Sequence, residues 1–209
     1  MKLKYLLAPI VALFFLLQTP IRADFLTDEE KTIAASQKLL AATVKIDPEP
    51  TSQGTGFYIS RDTIITNEHV IHKSNSDIHF TRYDGIQCTG KVGYREEGKE
   101  TDLALIHTDC LNDNVLKLAE SVKIGQSIVT VGNPGSFDFT VSKGIVSALR
   151  EDRVQFDARV DFGSSGGVVA DLGGNVVGVE VEMSKSDNYV AFAIPANRVR
   201  QFLDRAEVK

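Results

Sequence analysis

GTGFYISRDTIITNEHV, residues Gly54 to Val70, reads as two short apolar runs, Gly56 to Ser60 and Thr63 to Thr66, parted by Arg61-Asp62 and followed at once by Asn67-Glu68-His69. Runs this short, rich in Ile, Phe, Tyr and Thr and bounded by polar residues, read as strands rather than helices. The rhythm continues through Ile78 to Tyr83, Leu103 to His107, Ser127 to Val131, Gly144 to Leu149, Val168 to Ala170, Val176 to Val181 and Tyr189 to Ile194, cut by Gly, Asn, Asp and Pro. That spacing predicts an all-β sandwich or barrel.

Outside this region the pattern changes. Thr27-Asp28-Glu29-Glu30 is a capping-box signature ahead of Ile33, Ala34, Leu39, Leu40 and Val44, which predicts a helix running into a first strand near Ala42 to Ile46. Asp47-Pro48-Glu49-Pro50 then interrupts the chain, because proline suits neither helix interior nor central strand. Pro195 to Ala206, with Val199, Phe202 and Leu203 on one face, predicts a closing helix. At the other end, Lys2 and Lys4 precede an apolar run from Leu6 to Leu17 and then Gln18, Thr19, Pro20 and Ala23. The run is shorter than the ~20 residues a membrane-spanning helix needs, so residues 1–23 read as a secretory signal and residues 24–209 as one domain. Export to the periplasm or beyond the cell is the expectation, with an uncleaved anchor as the alternative.

A chain of 209 residues with a formal net charge of -5 carries no basic footprint, which disfavours nucleic acid and anionic membrane as partners. Its two cysteines, Cys88 and Cys110, suit an oxidising compartment. Ile86 to Tyr94 and Asp102 to Thr108 look like strands joined by a polar turn, and folding that hairpin brings the two cysteines near each other. A bond closing a loop of roughly twenty residues would contribute about 3 kcal/mol. Two free buried thiols are the alternative.

Three segments carry chemistry. His69 follows the apolar strand ending at Thr66, and an imidazole, whose unperturbed pKa lies near neutrality, is a candidate general base. Asp102 opens the apolar run Leu103 to Ile106; a carboxylate there either caps the turn or pairs with a donor such as imidazole. Gly163-Ser164-Ser165-Gly166-Gly167 has the glycines of a tight turn that exposes a hydroxyl beside converging backbone amides. Each segment alone has an ordinary structural explanation: a polar strand end, a turn cap, a Gly/Ser loop. Together they run in the order His, Asp, Ser, which is the chain order of the chymotrypsin triad and not that of subtilisin or the α/β-hydrolases.

The chain resembles the trypsin-like proteases of the HtrA (Deg) type. The resemblance rests on Gly54 to Ile59, Ile65 to Val70, Thr101 to Leu105, Val131-Gly132-Asn133-Pro134-Gly135, Ser142 to Ser147, Gly163 to Gly167 and Ala191 to Pro195, in family order across residues 42–205. It implies two six-stranded antiparallel β-barrels with short terminal helices. It also implies a serine endopeptidase with His69 as base, Asp102 as its orienting partner and Ser165 as nucleophile, and with the Gly163 and Ser165 N–H groups as oxyanion hole. Such an enzyme takes protein or peptide substrates and needs no cofactor or metal. Ser164 stands where the family commonly has Asn, leaving two adjacent hydroxyls, of which the spacing to Gly166-Gly167 favours Ser165. The chain ends just after its last helix, which likens it to single-domain members without a PDZ module.

In this fold the primary pocket is lined by residues before the nucleophile and by a later strand, here Arg159 to Phe162 and Val179 to Met183. Strand alternation puts Val177, Val179 and Val181 on one face and Glu180 and Glu182 on the other. Glu180 in the pocket would favour a basic residue and Arg159 an acidic one, with Val160 beside them; the two charges pairing, or a solvated strand face, are the alternatives. Competing functions are a protease-fold binding protein without turnover and an esterase. A metal site prompted by Glu68-His69 and His72, whose two histidines lie three apart, lacks a clear third ligand to join them.

Overall fold

The computed structural model describes residues 26–47, 53–72, 74, 77–96, 101–183 and 190–208. The proposed leader lies outside them. Helix α1 (Asp28–Ala42) opens on a complete capping box: Thr27 Oγ1 accepts from the Glu30 N–H at 3.2 Å, and Glu30 Oε2 accepts from the Thr27 N–H at 2.7 Å. The helix buries Ala35, Leu39 and Ala42 and leaves Ile33 half exposed, so its inward face is narrower than the apolar residues suggested. No helix of the described residues is long and apolar enough to cross a membrane.

Six strands form the first barrel: β1 (Thr43–Ile46), β2 (Gly54–Ser60), β3 (Thr63–Thr66), β4 (Ile78–Arg82), β5 (Gln87–Glu96) and β6 (Leu103–His107). They pair antiparallel in the order β1-β2-β3-β6-β5-β4, and β4 closes back onto β1. A short helix, α2 (Glu68–Ile71), follows β3. Cys88 is disulfide-bonded to Cys110, which fastens β5 to the segment after β6.

The second barrel contains β8 (Ser127–Gly132), β9 (Thr140–Leu149), β10 (Val154–Phe156), β11 (Val168–Asp171), β12 (Asn175–Met183) and β13 (Ala191–Pro195). Its order is β11-β8-β9-β10-β13-β12, closed by β11 against β12, while the two-residue β7 (Lys117–Leu118) adds to β12 in parallel. Both barrels are therefore six-stranded and antiparallel.

Alternation along the strands sorts the core into three parts. Ile64, Ala104 and Ile106 fill the first barrel, and Ile128, Phe156 and Val169 the second. Their neighbours Ile65, Leu105, Val129 and Val168 point the other way and form one core with faces of α1 and α3 (Ala196–Arg205). Arg205 on α3 also holds Glu96 on β5 through two bonds of 2.6 and 2.9 Å, so the last helix is tied to the first barrel.

Simple alternation fails in β12. Val177 packs inside the second barrel, whereas Val179 and Val181 face the shared core. The cause is a register shift, in which β11 pairs Val169 with Gly178 but Ala170 with Val176 and so skips Val177; a second shift follows where β13 skips Val181 between Glu180 and Glu182. An extra residue on one strand reverses every side chain beyond it.

Candidate active site

The register of the first barrel sets two of the chemical residues face to face. Thr66 at the end of β3 pairs with Ala104 on β6, so the residues just past that pair, Asn67 and Asp102, are neighbours. Asn67 Nδ2 donates to the Asp102 carbonyl at 2.9 Å, and the chain then turns into α2, lifting His69 over the strand end. The Asp102 carboxylate takes two donors from that residue: the His69 backbone N–H at 2.9 Å on Oδ1 and ring Nδ1 at 2.7 Å on Oδ2. A carboxylate has only lone pairs to offer, so a proton lies on Nδ1, and in the neutral ring Nε2 keeps its lone pair. Asp102 is 13% exposed at the side chain and His69 47%, which leaves the ring open on its far side.

The turn before β11 comes from the second barrel and is pressed onto the first. Its glycines Gly163 and Gly166 have φ of 96° and 83°, the left-handed region that favours glycine. A β-carbon on Gly166 would stand 2.1 Å from the Thr55 carbonyl oxygen, 2.4 Å from Thr66 Oγ1 and 3.1 Å from the Asn67 nitrogen. The residue after Ser165 thus touches the strand end that delivers His69. Thr55 on β2 completes the clamp: its N–H donates to the Ser165 carbonyl at 2.9 Å and its hydroxyl to the Gly163 carbonyl at 2.8 Å.

The two adjacent serines differ. Ser164 is 3% exposed, and its hydroxyl lies 3.4 Å from the Asp161 N–H in the wall of the turn. Ser165 keeps part of its surface open.

Two backbone amides are aimed by their own peptide planes. The Phe162 carbonyl accepts from the Gly135 N–H at 2.7 Å, and the Ser164 carbonyl from the Gly167 N–H at 2.8 Å. Because N–H and C=O of a trans peptide point in opposite directions, the Gly163 and Ser165 N–H groups face away from those partners. Among the described residues neither donates a hydrogen bond.

The three residues suggested for a substrate pocket differ in exposure. Arg159 is exposed, Val160 packs in the interior of the second barrel, and Glu180 on β12 is buried. Among the described residues no ion pair joins Arg159 to Glu180. Burial pushes the Glu180 carboxyl up to about 8, opposed only by a 3.4 Å bond from Thr130 Oγ1. His72 is exposed, with its ring Nδ1 3.1 Å from the His69 carbonyl, and no group of three or more metal-binding side chains occurs among the described residues.

Sequence reasoning passed over Thr55, Asn133 and Thr130. Asn133 binds the Thr55 hydroxyl through its backbone N–H and its side-chain amide, both at 3.0 Å, and its own carbonyl closely overlies Gly163. The stretches Gly54 to Ile59 and Val131 to Gly135 contain Thr55 and Asn133 but not Thr130, and no local pattern marks a hydroxyl that bonds across two barrels.

Residues 54–179 match the family described as Trypsin-like peptidase domain. A "Probable periplasmic serine endoprotease DegP-like" from Chlamydia muridarum is 33% identical over 168 residues, 73% of this chain and 33% of the relative. A "Serine protease HTR4" from Rattus norvegicus is 35% identical over 170 residues, 74% of this chain and 34% of the relative. The chain spans about a third of the length of these relatives. A crystal structure of a Yersinia pestis serine endoprotease superposes with a TM-score of 0.78 at 25% identity, covering 88% of this chain and 68% of the other. Rv3671c from M. tuberculosis H37Rv, solved in an inactive form, gives 0.74 at 25% identity over 84% of this chain and 91% of the other.

Proposed function

Because the chain belongs to the trypsin-like peptidase family, we propose that it is a serine endopeptidase acting through an acyl-enzyme, with His69, Asp102 and Ser165 as its triad. His69 Nε2 takes the proton of the Ser165 hydroxyl as Oγ attacks the scissile carbonyl, and returns it to the leaving amine. Asp102 holds the ring in the tautomer that frees Nε2 and stabilises the imidazolium formed during attack. The Gly163 and Ser165 N–H groups receive the oxyanion; losing one such donor costs ~100- to 1,000-fold in rate in comparable sites. Water then repeats the sequence on the acyl-enzyme and releases the acid.

The observation that carries this reading is the pair of hydrogen bonds from His69 to Asp102, through the backbone at 2.9 Å and the ring at 2.7 Å. A turn-capping aspartate has no need of the ring. The burial of Ser164 supports Ser165 as the nucleophile. For the residue preceding the scissile bond, the reading places a pocket between Val160 and Glu180 with Arg159 at its exposed rim.

The substrate is a protein or peptide, as for relatives whose names read serine endoprotease. Export to the periplasm or the cell exterior is part of the proposal, supported by relatives named as periplasmic and by the Cys88–Cys110 disulfide. Residues 24–209 constitute the peptidase domain in this reading, after a leader at 1–23.

Labelling with a fluorophosphonate probe tests the mechanism. Wild-type protein and Ser164→Ala label, and Ser165→Ala does not. Labelling that persists in Ser165→Ala rejects the assignment, and an unlabelled wild type leaves a binding protein on a protease fold. Cleavage of a peptide library, with Ser165→Ala as control, then reads the substrate preference.

A further inference from the structure

Glu180 is a buried acid that the mechanism above does not use, and it sits two hydrogen bonds from the nucleophile. The Gly166 N–H donates to the Glu180 carbonyl and the Glu180 N–H to the Gly167 carbonyl, each at 2.9 Å. The backbone of Glu180 therefore brackets the two residues that follow Ser165. Its side chain returns toward the same turn: Oε2 lies 3.6 Å from where a β-carbon on Gly167 would stand. Carboxyl, turn and strand form one packed unit.

We propose that Glu180 in its uncharged form is a positioning residue for the nucleophile, holding the Gly166-Gly167 turn in the shape that presents Ser165. Ionising the carboxyl breaks that arrangement. The inference rests on the Ser165 mechanism and goes beyond it, because Glu180 touches the turn whether or not it also touches substrate.

The surroundings of the carboxyl explain why charge is not tolerated. From β8 Thr130 bonds the carboxyl, on β13 Ala193 stands opposite Glu180 in the sheet, and from the turn Gly167 lies against Oε2. None of these carries charge. Asp161, the nearest acid along the turn, is exposed and accepts from the Phe162 N–H. Among the described residues no charged side chain shifts Glu180, and burial pushes it up to about 8. A carboxylate there gains no partner by staying and gains solvation by leaving. The register shift at Val181, next in the chain, interrupts the pairing of β12 with β13 and is where such a movement would begin.

The test uses a small fluorophosphonate without a peptide side chain, so that a pocket role for Glu180 does not move the result. Ser165 labelling rates are measured from pH 6 to 9.5 for wild type, Glu180→Gln and Glu180→Leu, each normalised to its own rate at pH 7. A group with its midpoint at about 8 is only ~3% uncharged at pH 9.5, so the wild-type rate should fall roughly 30-fold between pH 7 and 9.5. Both variants should lose that fall. An alkaline decline of the same size in Glu180→Gln overturns the proposal. If wild type does not label at any pH, it is the Ser165 mechanism that fails. The positioning claim is then decided by following the amide resonances of Gly166 and Gly167. They should shift together with a single ionisation in wild type, and a pH-independent pair refutes the coupling. The same titration decides the matter if the variants do not fold.

Discussion

Replacing Gly166 by alanine tests the contact on which the site depends, the seating of the Ser165 turn on the strand that carries His69. The added methyl would lie 2.1 Å from the Thr55 carbonyl oxygen and 2.4 Å from Thr66 Oγ1. Those two atoms are already bonded to each other at 2.7 Å, so the methyl enters a closed pair. Ordinary contact needs about 3.4 Å, and turn and strand must separate by roughly 1 Å. Holding φ near 83° with a side chain adds about 1–2 kcal/mol of strain. The expected cost is about 2–4 kcal/mol of stability, read from urea denaturation. A displacement of that size between reacting groups costs on the order of 100-fold in rate, read from fluorophosphonate labelling. Gly174→Ala separates strain from displacement, because Gly174 has φ of 71° but the three atoms nearest its β-carbon belong to the flexible Lys38 side chain. That control should lose about 1–2 kcal/mol and label at the wild-type rate. Labelling of Gly166→Ala within threefold of wild type would refute the seating of the turn as a determinant of the site.

Other perturbations reach separate parts of the structure. Asp102→Asn presents an amide N–H to the ring and favours the wrong tautomer, so labelling should fall by ~1,000- to 10,000-fold; a loss under tenfold would remove Asp102 from the mechanism. Glu180 sets a pH dependence of stability whose sign follows from its raised value. Between the ordinary glutamate value of 4.5 and about 8 the folded protein keeps a proton that the unfolded chain releases. Its contribution is full below 4.5 and is lost as pH rises toward 8, at up to about 1.4 kcal/mol per pH unit. Glu180→Gln should flatten that slope, and parallel stability curves for the two proteins from pH 5 to 8 would contradict the buried, protonated state. Replacing Cys88 and Cys110 by serine opens a loop with a sequence separation of 22, at about 3 kcal/mol in the denaturation midpoint. A change below about 1 kcal/mol would show that the unfolded chain does not feel the constraint.

Much of this protein is written in short-range pattern. The capping box at Thr27 and Glu30, the proline at the start of the last helix and the apolar runs that became most strands depend on residues within a turn or two of each other. So does the order of His69, Asp102 and the Ser165 turn, each beside a strand. Strands β7 and β10, of two and three residues, were not legible, because so short a run carries no alternation to read. The faces of β12 were misread for a related reason: its register is decided by β11 and β13 and not by its own residues.

What the sequence alone determined, then, is which residues are available: an all-β chain with an imidazole, a carboxylate and two hydroxyls at strand ends. Tertiary structure decided which of them meet. Closing the first barrel placed the Asp102 carboxylate under the backbone N–H and ring Nδ1 of His69, and packing the second barrel against it buried Ser164, left Ser165 open and clamped the turn with Thr55. It also enclosed Glu180 among uncharged neighbours. Hydrogen bonds and desolvation act over a few ångströms in space, between residues that the chain holds a hundred positions apart.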